Sequence, residues 1–424
     1  MKAAGILCAL WIGCWLRCSG QTNEPAAEYE YAAPTNRPAK PSRWLPYGPE
    51  RIPEYVLRLL FEPLQWVPRA VDHGRVGGWG TSPLSPHSAT WGVYPILGYN
   101  PAQGGFGGLG YFDEKWLGRP FLLRLEAEAA TEDAQRVQAE FASPLWSGRL
   151  GLGASFDRDA NTEFFGFGNA SRRERRADYE AIAVRGWLAW QTPAFAGFRV
   201  RPAVVLHALT FDSDGGSEPP RLDKNFALAT IPAFQDDPDL VELRAELGYE
   251  SGWLPADSLF AVSFSETIGG SRFQTLSGGD FDFWKYWVAV GTRLQLGKPR
   301  RELRARLRLE ATDADSGDQV PFVFLPTLGE NAGLGGFARG RFVDDEAAVA
   351  NFEYRFPAWA TADGLVFCDL GRVFDDGDEF TLRQWRWAAG LGGEAEMPSK
   401  FILRVRIGFS EEGVQPVVLM TRRF

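Results

Sequence analysis

The chain has few residues that could carry out acid–base or nucleophilic chemistry. It contains three histidines, His73, His87 and His207, and only His207 lies on a predicted strand. A Ser–His nucleophile pair would need one of them. There is no Gly-x-Ser-x-Gly elbow, no zinc-ligand spacing and no phosphate-binding loop. Asp212-Ser213-Asp214-Gly215 is a fragment of an acidic calcium loop without the remaining spacing, and it is typical of a solvated turn. The sequence therefore predicts a non-enzymatic protein with no metal and no cofactor.

Charge gives two indications about partners. The chain is acidic, with a formal net charge of -9 and mixed signs throughout, which argues against nucleic acid. A basic run, Arg172, Arg173, Arg175 and Arg176, interrupts this pattern. It fits contact with the anionic headgroups of lipopolysaccharide, and equally a solvated loop partly balanced by Glu174.

The N-terminal residues predict export. Lys2 precedes the apolar stretch 3–16, and Cys18-Ser19-Gly20 supplies small residues before Gln21. This pattern indicates a cleaved signal peptide over residues 1–20; lipidation at Cys14 or Cys18 is the alternative. After cleavage Cys368 would be the remaining cysteine, so we expect no internal disulfide.

Two short segments separate this leader from the main domain. Residues 21–48 are rich in Pro, Ala, Glu and Asn and predict a flexible periplasmic linker. Residues 49–75 carry apolar residues at helix-like spacing, broken by Pro63 and Pro68. They predict a short helical segment packed on the periplasmic mouth of the domain, with a plug or an interfacial anchor as the alternative.

From about Thr90 the hydrophobic period becomes two, which predicts strands with one apolar face. In residues 241–249 the odd positions are apolar or aromatic, and Glu242, Arg244 and Glu246 alternate with them. Residues 121–129, 303–311 and 401–409 repeat this pattern. A soluble sandwich also alternates, but here the strands are long and the alternation spans nearly the whole domain.

We therefore predict an all-β fold, a transmembrane antiparallel β-barrel of about sixteen strands, over residues 76–424. A sheet in lipid must close on itself, because unpaired backbone groups there cost several kcal/mol each. The ninth strand is expected at 257–268, and the long loops at 159–177, 212–239 and 326–345. Short turns at one end and long loops at the other are typical of outer-membrane barrels.

The C-terminal third resembles the BamA/TamA-type superfamily of outer-membrane assembly factors, the bacterial surface antigen family. Residues 333–342 are similar to its Leu/Val-Arg-Gly-Tyr/Phe loop, 351–357 to its Asn-x-Glu-x-Arg-Phe-Pro strand, and 366–371 to its Phe-x-Asp-x-Gly strand. Residues 164–169, Gly390-Leu391-Gly392 and the closing strands are compatible with it. The resemblance implies an outer-membrane barrel plugged by its sixth extracellular loop.

The chain departs from this family in two respects. Gly335 stands where the loop motif has arginine, so we expect that this position cannot make the usual loop-to-lumen contact. The segment before the barrel is too short for one periplasmic docking (POTRA) domain, so the chain resembles a short form without them. The resemblance consequently supports the fold more strongly than the activity.

The candidate site residues form three groups. The loop motif comprises Gly335, Gly336, Phe337, Arg339, Gly340 and Arg341. By strand parity the lumen motif comprises Glu353, Arg355, Asp369 and Gly371, whose charges could also simply line water. We expect Asp369 to pair with Arg339 or Arg341; otherwise Phe337 and Phe342 would hold the loop by packing, or nothing would. Val418, Met420 and Phe424 form the expected C-terminal assembly signal, with Arg422 snorkelling to the interface.

These features predict a bacterial outer-membrane protein that acts in protein insertion, secretion or lipid handling. Its expected partners are outer-membrane lipids, lipopolysaccharide and, during biogenesis, the barrel-insertion machinery, with an unknown client polypeptide. A passive pore for small solutes is the alternative.

Overall fold

The computed structural model describes residues 90–422 except 215–219, 255–259, 298–299, 360–361, 376–380, 382 and 397–400. The predicted signal peptide, the linker, the helical segment 49–75 and Phe424 lie outside the described residues. Within the described part of the chain, no helix is long and apolar enough to cross a membrane.

Sixteen long strands form one closed antiparallel barrel. Each strand pairs with its sequence neighbours, β11 pairs with β14 across a long loop, and β1 pairs with β18 to close the sheet. The strands are β1 Trp91–Asn100, β2 Gly104–Asp113, β3 Leu122–Ala130, β4 Ala134–Leu145, β5 Gly148–Phe164, β6 Ala177–Gln191, β7 Phe198–Asp212, β8 Asp239–Glu250, β9 Val262–Ser277, β10 Phe283–Gln295, β11 Glu302–Ala314, β14 Glu346–Trp359, β15 Ala362–Phe374, β16 Arg386–Glu396, β17 Phe401–Ser410 and β18 Gly413–Arg422.

The loop between β11 and β14 carries its own small ribbon, in which β12 (Thr327–Leu328) pairs with β13 (Phe342–Val343). The helical segments of the described residues are short. An α-helical turn, α1, spans Leu222–Asn225, and 3-10 turns span 116–118, 173–175, 228–230, 322–324 and 330–332. The predicted sixteen-stranded barrel is confirmed.

The alternation of side chains explains why these segments form a membrane barrel. On β8 and β11, Leu243, Leu303 and Leu307 point outward and are exposed, whereas their charged neighbours point into the lumen. Aromatic side chains gather on the outer surface near both ends, as in the Trp146–Trp190 and Trp284–Tyr286 pairs. An apolar outer band between two aromatic belts is the pattern of a barrel that spans a bilayer.

Two strand boundaries differ from the sequence expectation. Strand β9 runs over Val262–Ser277 rather than 257–268. Its Gly269-Gly270-Ser271 segment reads as a turn, but the indole of Trp287 on β10 lies over Gly269, where a Cβ would come within 2.1 Å. The Trp287 ring on the neighbouring strand thus fills the space that a side chain at Gly269 would occupy. Strand β5 continues to Phe164, so the following loop is shorter than expected.

The long loops all leave the same end of the barrel, which by the rule for such barrels is the extracellular end. They are residues 165–176, 213–238 and 315–345. Their described parts cover and enter the mouth, and we call them together the lid. Within the lid, Phe322 packs on Phe234 of a neighbouring loop and on inward rings of the wall: Phe164, Tyr179 and Phe211. This aromatic core fills the lumen at the extracellular end.

Candidate functional site

The loop 315–345, which we call the plug loop, enters the lumen and packs against the inner wall. Leu328, Leu334, Phe337 and Phe342 are completely buried. The rings of Phe337 and Phe342 meet edge to face, with centroids 5.2 Å apart. They contact small inward residues of β14, β15 and β16, namely Ala347, Val349, Val373 and Ala388. Apolar packing therefore holds the loop, as one of the sequence alternatives anticipated.

Glycines on both sides let the loop backbone lie directly on the wall. A Cβ on Gly408 of β17 would lie 1.9 Å from the carbonyl oxygen of Gly335, and one on Gly336 would lie 2.7 Å from that of Phe409. Ser410 Oγ donates a hydrogen bond of 2.5 Å to the Gly336 carbonyl oxygen. On β15, a Cβ at Gly371 would approach the Leu328 side chain to 2.9 Å. Gly336, Gly371 and Gly408 are thus required by this close approach.

The prediction that Asp369 pairs with Arg339 or Arg341 is wrong. Asp369 is buried, and its carboxylate accepts hydrogen bonds from the Gly335 amide at 3.0 Å and from Asn351 Nδ2 at 2.7 Å. Asn351 Nδ2 also donates to the Gly333 carbonyl oxygen at 2.7 Å. Because the main chain of Gly335 already reaches the carboxylate, no arginine is needed there. Gly335 therefore makes the loop-to-lumen contact through its backbone amide. The expectation that this position cannot make the contact is wrong.

The two loop arginines bind elsewhere. Arg339, more than a third exposed, lies 3.4 Å from Asp159 of β5. Arg341 is 2% exposed, and its guanidinium donates to both carboxylate oxygens of Glu412 at 2.7–2.9 Å. It also donates to the Ser171 hydroxyl at 2.7 Å and to the Ser171 carbonyl oxygen at 2.8 Å. Arg341 thereby joins the plug loop, the loop 165–176 and the β17–β18 turn.

Aromatic rings complete the surroundings of Arg341. Its guanidinium carbon lies 4.8 Å from the centre of the Phe165 ring and 4.5 Å from that of Phe342. A desolvated cation held between ring faces and a carboxylate is a strong anchor. Sequence reasoning named Arg341 but missed Glu412 and Ser171, because no local pattern links positions 71 and 170 residues away.

The loop 165–176 also reaches the opposite side of the mouth. Arg173 donates to the Glu412 carbonyl oxygen. Asn169 Nδ2 donates to the Gln384 carbonyl oxygen at 2.8 Å, and Arg386 donates to that of Asn169 at 2.8 Å. The amide nitrogen of Gly168 donates a hydrogen bond to the carbonyl oxygen of Val343 at 2.8 Å. The basic run is therefore partly structural: Arg173 fastens the lid, and Arg176 pairs with Glu163 at 2.9 Å.

Below the plug, the inner wall carries a network of charges. Arg355 is buried, donates to Glu353 and lies 3.7 Å from Glu394. Glu394 is also bound by Arg404 at 2.9 Å. Arg304 and Arg406 lie within 4 Å of Glu353. These residues face the lumen from β11, β14, β16 and β17, so the periplasmic half of the lumen is polar and internally paired.

Two further groups of titratable residues lie close together, one around Glu242 and one around Asp345. His207 and Ser271 both bond to Glu242, at 3.0 and 2.5 Å, so that serine donates to the carboxylate and not to the histidine. This arrangement does not activate a nucleophile. At the extracellular end, the carboxylates of Asp344 and Asp345 in the lid and of Asp375, which follows β15, lie within 4.8 Å of one another. Burial, together with Asp375, raises the pKa of Asp345 to about 6.

Among the described residues, the closing seam is the shortest strand pairing of the barrel. Strands β1 and β18 share three register pairs, Leu97–Met420, Gly98–Leu419 and Tyr99–Val418, whereas β1 and β2 share ten. Each backbone pair lost at this junction removes hydrogen bonds that the other junctions retain. The seam is therefore the junction at which the sheet separates with the least loss.

Near the periplasmic end the two edges of the seam overlap. Tyr94, Ile96 and Phe112 belong to the inner face of β1–β2, yet they pack with Phe401, Leu403 and Met420 from the outer face of β17–β18. The end of β17–β18 thus lies inside β1. Arg422 does not snorkel as expected: it is buried, with its guanidinium carbon 3.7 Å from the centre of the Phe112 ring. The overlap covers this side chain and also part of Met420, while Val418 pairs with β1.

Comparison with known proteins addresses the fold. No protein-family model and no curated protein sequence matches the chain. BamA of Haemophilus ducreyi lacking POTRA domains 1–3 is similar in structure, with a TM-score of 0.55 and 15% identity, over 78% of this chain and 70% of that chain. CdiB from Escherichia coli (TM-score 0.55, 12% identity) and CdiB from Acinetobacter baumannii (0.51, 11%) are similar over 78% of this chain.

The chain covers 63% and 60% of the two CdiB chains, less than two thirds of their length. At these identities the likeness concerns the fold. It agrees with the fold that the motifs of residues 333–371 implied from sequence. The chain has the barrel fold shared by BamA and CdiB.

Proposed function

We propose that this protein is a normally closed barrel of the bacterial outer membrane that takes part in protein insertion, secretion or lipid handling. It acts without covalent chemistry, after export through a cleaved signal peptide. The observation that carries this proposal is the combination of a plugged lumen with a short closing seam. A solute pore needs an open lumen, whereas a barrel that hands polypeptides or lipids to the membrane needs a seam that can part.

The partners follow from this role. Outer-membrane lipids contact the apolar outer band, and lipopolysaccharide surrounds the lid at the extracellular end. The barrel-insertion machinery is the expected partner during biogenesis, through a signal formed by Val418, Met420 and Phe424. The client is a polypeptide or a lipid of unknown identity.

Conductance in planar bilayers tests the proposal. The wild-type barrel should be closed with brief openings. In a Cys368→Ser background, Leu97→Cys with Met420→Cys places two thiols directly opposite each other across the seam. Oxidation should suppress those openings that arise at the seam, and a reductant should restore them.

A matched control uses the same first residue. Leu97→Cys with Gly107→Cys joins β1 to β2, where ten register pairs already hold the strands. Its oxidation should leave the openings unchanged. A steady large conductance of the wild type, unaffected by the seam disulfide, would contradict the proposal and favour the passive pore. The polar periplasmic half of the lumen is the feature that fits this second candidate.

A further inference from the structure

The lid contains a cavity of about 590 Å³ between the loop 165–176 and the segment 226–231. Phe164, Phe165 and Ile231 support it from below but are nearly fully buried, so they present almost no surface to a ligand. Phe226 and Phe167 form the walls, and the rings of both lie about 5 Å from that of Phe164. A volume of this size is within the range of sites for small ligands. The rings of Phe167 and Phe226 are therefore the main apolar surface of a cavity whose remaining lining is largely polar.

The rim of the cavity is cationic. Arg172 and Arg175 line it, and none of its lining residues is acidic. Arg175 is fixed: its guanidinium carbon lies 4.7 Å from the centre of the Phe226 ring, and Nη2 donates to the Asn225 carbonyl oxygen at 3.0 Å. Arg172 is exposed, and no hydrogen bond or ion pair joins its side chain to another described residue. One guanidinium is thus held in place while the other is free to bind a ligand.

The backbone of the loop keeps the cavity open. Gly166 has a φ of 90°, and a Cβ there would lie 3.1 Å from the Phe226 ring. Arg341 holds the adjacent Ser171 from the far side through its hydroxyl and carbonyl oxygens. The cavity wall is therefore built on the same anchored loop that closes the barrel mouth.

We propose that this cavity binds an anionic group joined to an apolar or aromatic body, with the anion on Arg172 and Arg175 and the body on the rings of Phe167 and Phe226. A phosphate accepts hydrogen bonds from guanidinium groups, and the rings accept a flat or aliphatic group. Such a ligand could be the phosphorylated headgroup region of an outer-leaflet lipid or a soluble molecule of the same chemistry.

Phenyl phosphate is a suitable probe because it is water-soluble and combines both features. We expect it to bind the purified barrel in nanodiscs of neutral lipid at least tenfold more tightly than inorganic phosphate or phenol, as measured by calorimetry. Arg172→Gln should weaken this binding about tenfold, since a charge-assisted hydrogen bond contributes roughly 1.5 kcal/mol or more. Phe226→Ala should weaken it through loss of the wall.

Lys224→Gln is the matched control, because it removes a positive charge from the same face without touching the cavity. It should leave the affinity unchanged. Competition by lipid A in the nanodisc would identify a lipid headgroup as the source, and binding without competition would identify a soluble ligand. Equal binding of phenyl phosphate, inorganic phosphate and phenol, or equal loss in Arg172→Gln and Lys224→Gln, would overturn the proposal.

Discussion

Replacing Arg341 by alanine should open the lid without unfolding the barrel. The substitution removes hydrogen bonds to Glu412 and Ser171 at once and leaves Glu412 without its cation. Breaking a buried ion pair by removing one partner costs about 3–5 kcal/mol. The Glu412 side chain is 15% exposed, so water can partly solvate it, and we take about 3 kcal/mol.

That energy corresponds to a change of roughly two orders of magnitude in the ratio of open to closed lid, because about 1.4 kcal/mol is a factor of ten. Single-channel recording should show open probability rising by about this factor in Arg341→Ala. Limited proteolysis should cut residues 315–345 much faster. The sixteen wall strands are untouched, so the heat-modifiable mobility of the folded barrel should persist.

Arg341→Lys is the informative companion variant. It keeps the charge but cannot reproduce the forked contacts to Glu412 and Ser171. We expect an intermediate open probability. If Arg341→Ala remained as closed and as protease-resistant as the wild type, the apolar packing of Phe337 and Phe342 alone would hold the lid, and the reasoning about Arg341 would be wrong.

Three further outcomes are expected. Gly408→Ala places a methyl group where a Cβ lies 1.9 Å from a loop carbonyl oxygen, so it should expel the loop and speed its proteolysis, whereas Gly248→Ala, with nothing within 4 Å, should not. The raised pKa of Asp345, about 6 against 3.8, means that the folded lid binds this proton more tightly than the unfolded chain. The lid should therefore lose stability as pH rises from about 4 to about 6, and Asp375→Asn should reduce that loss in protease-protection assays at pH 5 and 7.5. Deleting Phe424 should sharply lower the fraction of heat-modifiable barrel in membranes; unchanged assembly would argue against the C-terminal signal.

The strands could be predicted because each one obeys a local rule. Period-two alternation identifies segments such as β8 and β11 without knowledge of their partners, and closure in lipid then restricts the topology to a barrel. The predicted bounds of strand β9 were wrong because its sequence does not alternate between apolar and polar residues at its centre. The small residues from Gly269 to Ser271 have no apolar signal of their own, and their conformation depends on Trp287 of the next strand.

The contacts of the lid could not be predicted in the same way. Strand parity gave the direction of Glu353 and Asp369 but not their partners, because partners are set by the path of a loop through the lumen. The hydrogen-bond donor to Asp369 is an example. A main-chain amide does what an arginine was expected to do, and main-chain donors leave no mark on residue type.

The plug and the seam together suggest how closure and opening are divided within the molecule. At the extracellular end the loop 165–176, the plug loop and the β17–β18 turn converge on Arg341, so one guanidinium links the lid to the last hairpin. That hairpin is also the inner edge of the seam, where β18 holds β1 by three register pairs. We therefore expect that a movement of β17–β18 that parts the seam displaces Glu412 from Arg341 and so couples opening of the wall to release of the lid.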